Sequence, residues 1–420
     1  LVTPALAQGY AVVSQDSGHD NAINSDPAKG GAVAFGFDPE ARRNYAYASL
    51  GAVTDAAKAA IGTFYGRAPR YSYFAGCSKG GQSLPRAALA QAWDVQTFGR
   101  LVPPGPDGVR PFGQLAGTFS TSELGIVRQA ILKACDAKDG LADGLVAHYG
   151  QCGNEDVLPV LRGFACTGQR NGQCLSNLQI DALVRSMSGP RKSDGSPLYV
   201  RFPWDGGVGE PGWAVWKLGL AKEGVPALSI VVGGSALSAI FQTPPKLVAA
   251  DPQGMMQWQM AYDFDRDADA IYRAQAPFPA SGWDMMSARS PDIDGFRAAG
   301  GKLIVPHGAA DPVFSLDDTL QWYREVDARY AGKGADTVRV FPVPGMNHCE
   351  GGPSTDRYDA FAAMVDWVEQ GRAPEQLNAV AAAASPWPGR TRPICRYPAY
   401  ARYKGQGDVE KKESFECVRG

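Results

Sequence analysis

Histidine is scarce in this sequence, at four residues in 420: His19, His148, His307 and His348. Charge of one sign is also missing. Lys and Arg total 41 against 43 Asp and Glu, a net of −2, which leaves no electrostatic footprint for nucleic acid or an anionic membrane. No Cys-x-x-Cys pair occurs, so a zinc ribbon or a thioredoxin-type redox motif is not expected. The longest run without a charge, between Glu223 and Lys246, is broken by Pro226, Gly233, Gly234 and three serines. It reads as a buried or cleft-lining segment, not a membrane span. Heptads, tandem repeats and low-complexity tracts are absent. The first residues, LVTPALAQGYAVVSQDSGHD, show no start Met, no basic region and no long apolar region, so no signal peptide is read there. Whether Leu1 is the natural start stays open.

What is present is a large apolar fraction, 45%, with 50 Gly and 31 Pro. That composition supports a sizeable core with many loops, and the length suggests two or three domains. Eight cysteines, at 77, 135, 152, 166, 174, 349, 395 and 417, favour disulfides and a secreted or periplasmic protein. Buried free thiols in a cytosolic enzyme are the alternative. Of the 105 pairings that eight cysteines allow, spacing favours Cys135–Cys152, Cys166–Cys174 and Cys395–Cys417, which leaves Cys77 with Cys349.

The segment RYSYFAGCSKGG reads as a strand over Tyr71–Phe74 running into a tight turn and then a helix-like SLPRAALAQAW. GKLIVPHGAADPVF, SLDDTLQWYREVDARYAG and TVRVFPVPG form a strand–helix–strand unit of a doubly wound sheet. GYAVVSQDSG suggests a further strand, and YDAFAAMVDWVEQG an amphipathic helix with Phe361, Met364, Val365 and Val368 on one side. The expected fold is therefore α/β: residues 1–104 and 289–420 as an α/β-hydrolase catalytic core, with 105–288 inserted as a disulfide-rich lid.

Gly76-Cys77-Ser78-Lys79-Gly80 matches G-x-S-x-G, a strand-to-helix elbow that holds a serine oxygen in the open. Alone the pattern is weak; its predicted strand–turn–helix context gives it weight. A serine needs a base, and the base an orienting carboxylate, in the chain order Ser, Asp, His for this fold. Asp311, just past the first strand of the unit, and His348, just past the second, complete a candidate triad with Ser78. A lone Asp before Pro is also a common turn former, and a lone His a common core hydrogen bonder. Cys77 and Cys349 adjoin the serine and the histidine, so their disulfide would tie nucleophile to base.

This Cys-Ser, Asp, His-Cys arrangement resembles the tannase/feruloyl esterase family, which includes mono(2-hydroxyethyl) terephthalate hydrolases. The likeness extends to DSGHD, CDAKDGLADG, FPWDGGVGEPGWAVWKLG, HGAADPVFS, VPGMNHCEGGPSTDR and RTRPICRYPAYARYKGQGD, while residues 83–112 match poorly. It implies the same local disulfides and a serine esterase acting on small esters of aromatic acids. It also implies a structural calcium ion on Asp136, Asp139, Leu141, Asp143 and Leu145, the leucines through their carbonyls. Read by itself, that loop crowds three acids, which repel unless a hard cation or solvent takes them up. By resemblance Trp216 and Phe314 line the substrate pocket. His307 lies four residues before Asp311, and Ser235 and Ser238 are polar candidates. The backbone N–H of Lys79 is the one oxyanion-hole donor assignable here. The family's other donor, a glycine, lies with further core strands upstream of Leu1, so the N-terminal part of the core is expected to be missing. A catalytically silent binding scaffold and a serine peptidase stay open as alternatives. No arginine lies between Arg201 and Arg266 to hold a substrate carboxylate; Leu228, Ile230 and Val232 occupy that stretch, with Lys217, Lys222 and Lys246 as nearby cations.

Overall fold

The computed structural model describes residues 5–20, 26–80, 84–249 and 251–420. Gly81, Gln82 and Ser83, where the predicted turn meets its helix, lie outside them. The predicted strand–helix–strand unit is present. β1 (Leu303–Gly308) pairs in parallel with β2 (Val338–Val343), and the helix Leu316–Arg329 connects them. β2 is buried throughout while the first four residues of β1 are half-buried. This follows from the apolar runs, since a parallel strand covered on both faces has no polar side.

Two expected strands are not formed. Tyr10–Asp16 and Tyr71–Cys77 are without strand pairing, and Val12, Val13 and Phe74 are 63%, 60% and 70% exposed. β-Propensity supplies the extended side chains but not the ladder, which needs a neighbouring backbone. Tyr10 and Tyr73 instead pack their rings on Phe361 of the helix Ala360–Gln370. That helix forms as expected, but its buried residue is Trp367; the predicted stripe of Phe361, Met364, Val365 and Val368 is half-buried. The Trp367 ring is capped by the Arg339 guanidinium, 5.1 Å away.

The C-terminal segment is built from two antiparallel pairs, β3 (Gln376–Val380) with β4 (Thr391–Cys395), and β5 (Ala399–Tyr403) with β6 (Phe415–Arg419). Cys395–Cys417 staples β4 to β6. Helices dominate elsewhere. Leu84–Gly99 is buried from Ala87 to Gly99 and packs in the main core with Thr121–Cys135, Asn154–Gly163 and Asn177–Met187. Capping boxes at Ser120/Glu123 and Ser176/Gln179 start two of these helices. All four disulfides pair as the spacing indicated, and among the described residues no cysteine is free. Among them, too, no helix is long and apolar enough to cross a membrane.

Candidate active site

The two strands of the parallel pair deliver an acid and a histidine to the same place. After β1 the chain turns at Asp311, and after β2 at His348, and Nδ1 of His348 lies 2.9 Å from Asp311 Oδ2. The carboxylate's other oxygen accepts the backbone N–H groups of Val313 (2.8 Å) and Phe314 (3.0 Å). Burial pushes the Asp311 carboxyl up, but the bond and charge of His348, with His307 and the Phe314 N–H, outweigh it and hold it below the ordinary value. An ionised Asp311 selects the tautomer that carries its proton on Nδ1, leaving Nε2 of His348 able to accept one.

His307 stands behind this pair. It is buried, its Nδ1 meets Thr319 Oγ1 at 2.9 Å and its Nε2 meets the Phe314 carbonyl at 3.0 Å. Burial lowers its pKa, so it is a neutral support 3.7 Å from the Asp311 carboxylate. The rings of Trp216 and Phe314 lie 5.4 and 5.5 Å from that of His348, the tryptophan edge-on. Together they make an aromatic wall beside the imidazole.

Ser78 opens the short turn Ser78–Gly80 and holds φ at +60°, a left-handed conformation that serine rarely takes. Gly80 N–H closes the turn on the Cys77 carbonyl at 3.0 Å. Cys77 is bonded to Cys349, which also sits at positive φ, +62°. A ring nitrogen of His348 lies within 4.8 Å of both sulfurs. Sulfurs sharing a disulfide are not thiolates, so this cluster is the covalent tie between two loops and not a metal centre. Among the described residues the hydrogen bond of His348 runs to Asp311 and none joins it to Ser78. The Lys79 ammonium rests 3.7 Å over the Tyr45 ring, and burial lowers its pKa to about 8.

The other candidates fall elsewhere. Ser238 donates to the Ser235 carbonyl (3.1 Å), and both line a small crevice with Phe37 and Lys246. Lys217 is not an available cation: it is 1% exposed and ion-paired with buried Asp94, which also accepts from Ser186. A cavity of about 520 Å³ between Trp93, Arg185 and Lys192 contains none of the candidate residues. In the acidic loop Asp136 accepts the N–H groups of Asp143 and Gly144, and Asp139 those of Leu141 and Ala147. Both carboxylates are buried, which raises their pKa values to about 6 and about 7. Two buried acids without an ion pair among the described residues suit a hard cation. The Asp143 carboxylate is already taken up by Arg392, with Arg390 beside it. Asp205 and Asn347, both buried at the base of the His348 loop, were not singled out from the sequence. The Asp-Gly-Gly and Gly-Met-Asn-His strings that hold them carry turn signals only.

The fold is similar to that of solved esterases. It matches an esterase from Aspergillus oryzae with a TM-score of 0.72 at 24% identity, covering 96% of this chain and 78% of that one. A tannin acyl hydrolase from Aspergillus niger matches at 0.66 and 20%, over 91% and 71%. The family model for tannase and feruloyl esterase matches residues 1–95 and 109–418, and the chain belongs to that family. It is 39% identical to mono(2-hydroxyethyl) terephthalate hydrolase of Piscinibacter sakaiensis across 99% of this chain and 75% of that protein. Feruloyl esterase B of Aspergillus niger is 27% identical across 98% and 76%.

Proposed function

We propose that this chain is a serine carboxylic ester hydrolase acting on esters of aromatic acids, of the feruloyl, galloyl or terephthalate type. The observation that carries the reading is the Asp311–His348 pair, tied through Cys349–Cys77 to the left-handed Ser78. Ser78 Oγ attacks the ester carbonyl while Nε2 of His348 takes its proton. The same proton passes to the departing alcohol oxygen as the C–O bond breaks, leaving an acyl-enzyme. Water, deprotonated by His348, then releases the aromatic acid and restores Ser78. Lys79 N–H serves the developing oxyanion, and Trp216 and Phe314 hold the aryl ring. Residues 105–288 act as a lid on an α/β-hydrolase core. Asp136, Asp139 and the carbonyls of Leu141 and Leu145 would hold a calcium ion, which would neutralise the two buried acids and stay outside the reaction. Four disulfides support a secreted or periplasmic location.

The silent-scaffold reading draws on one observation, that among the described residues no hydrogen bond joins Ser78 to His348. Fluorophosphonate labelling beside turnover of a panel of gallate, ferulate and terephthalate esters separates the two. Labelling and turnover that both vanish in Ser78→Ala are the expected result; a wild type that does neither is the scaffold.

A further inference from the structure

Asp205 has no place in the reaction just described, yet it is fully buried and makes its bonds at the root of the site. Its Oδ1 accepts the N–H of Gly207 (2.8 Å) and of Gly345 (3.0 Å), and Oδ2 reaches the same Gly345 N–H at 3.2 Å. Gly345 begins the turn that carries His348. One step on, the Asn347 side chain donates to the carbonyls of Gly207 (3.1 Å) and Ala310 (3.2 Å), and Ala310 precedes Asp311. Ala310 N–H returns to the Met346 carbonyl at 3.1 Å.

The three backbones are in contact. A Cβ on Gly207 would lie 2.5 Å from the Gly345 oxygen and 2.6 Å from Ala310 Cβ, so a side chain there would push the loops apart. Gly212, in the helix that carries Trp216, is equally close to Asn347: a Cβ there would meet its Oδ1 at 2.7 Å. The loops of Asp311 and His348 and the Trp216 helix thus meet on one polar hub from the Phe-Pro-Trp-Asp-Gly-Gly segment. An isolated buried carboxylate is a costly way to hold a loop unless its geometry is needed. Oδ1 takes both converging N–H groups through its two lone pairs, and Oδ2 adds a second acceptor facing Gly345.

We propose that Asp205, with Asn347, is a positioning residue that sets the distance and angle of His348 against Asp311. The inference rests on the esterase reading for its kinetic effect, but not for its structural one. In Asp205→Asn the Oδ1 acceptor is kept, but the Oδ2 position becomes an N–H₂ facing the Gly345 N–H, and the turn at Gly345 shifts. A displacement of about 1 Å at reacting groups can cost on the order of 100-fold. The expected result is therefore a kcat lower by about 10- to 100-fold with KM within about twofold. The low-field proton resonance of the His348 Nδ1–H bonded to a carboxylate should broaden or disappear. Asn347→Ala, which leaves the carboxylate in place, should do the same and serves if Asp205→Asn does not fold. Leu161→Ala, a truncation in the main core, calibrates pure destabilisation. Variants of Asp205 and Asn347 that keep both kcat and the low-field proton overturn the proposal. So does a kcat loss that Leu161→Ala reproduces at the same fall in melting temperature. If the wild type turns over no ester but Asp205→Asn still loses the proton, the hub stands and the esterase reading is what fails.

Discussion

At the scale of single residues, the Asp311 carboxylate is a well-satisfied anion: two backbone N–H groups on one oxygen and His348 on the other. Replacing it with Asn keeps the shape but presents an amide to Nδ1, which favours the wrong tautomer. Asp311→Asn should lower kcat by on the order of 10³–10⁴, a size known from serine proteases, with little change in KM. Steady-state kinetics with a neutral aromatic ester checks this, and a loss under tenfold would remove Asp311 from its role. Specificity is also decided by individual charges. A substrate carboxylate needs a cation once desolvated. Lys217 is consumed by Asp94, and the Lys79 ammonium lies on Tyr45. Leu228, Ile230 and Val232 offer none. The neutral methyl ester of a terephthalate monoester should therefore have the higher kcat/KM. A strong preference for the free acid would contradict this. If that preference faded as pH rose through about 8, where Lys79 loses its charge, it would identify Lys79 as the cation.

At the scale of elements, what could be read in advance was local. The runs Leu303–Val305 and Val338–Val343 and the helix between them carry their periodicity in adjacent residues, and they form. The meeting of Asp311 and His348 was legible because two strand-end loops leave short signatures. Tyr10–Asp16 and Tyr71–Cys77 look the same by composition but form no ladder, because pairing depends on distant backbone. The Asp94–Lys217 pair was invisible for the same reason: its partners are 123 residues apart. Disulfides were readable by count and spacing, and Cys77–Cys349 joins elements 272 residues apart. In the loop-entropy treatment a closure of that length restricts the unfolded chain by about 5 kcal/mol, before any strain in the native state. Cys77→Ser/Cys349→Ser should therefore unfold at clearly lower denaturant, by about 2–5 kcal/mol. It should also lose activity under conditions where the fold is still intact, since the tie sets Ser78 against His348. Full kcat in the folded double variant would show that the elbow holds itself.

At the scale of the whole molecule, the proposed calcium ion couples metal, pH and stability. Asp136 and Asp139 are buried with folded pKa values of about 6 and about 7, above the unfolded carboxyl value. For acids raised in this way the fold prefers the protonated form. The burial penalty is fully present above those folded values. It is relieved as pH falls through about 7 and then 6, and it is gone below about 3.9, where both states are protonated. In the chelated protein these two groups therefore favour a higher melting temperature at pH 5 than at pH 8. A calcium ion needs both carboxylates ionised, so its stabilising effect must run the other way and grow with pH. At an ion concentration of about 100 times Kd, linkage adds about 2.7 kcal/mol. Spread over the unfolding entropy of a chain this long, that is a rise of about 3 °C. Thermal melts with chelator and with added calcium, at pH 5 and pH 8, give the comparison. The expected pattern is a calcium-dependent rise at pH 8 that shrinks at pH 5 and is abolished in Asp139→Ala. A metal analysis of the purified protein that finds no calcium, with melts indifferent to the ion at pH 8, would leave Asp136 and Asp139 as buried acids held by the backbone N–H groups of their own loop alone.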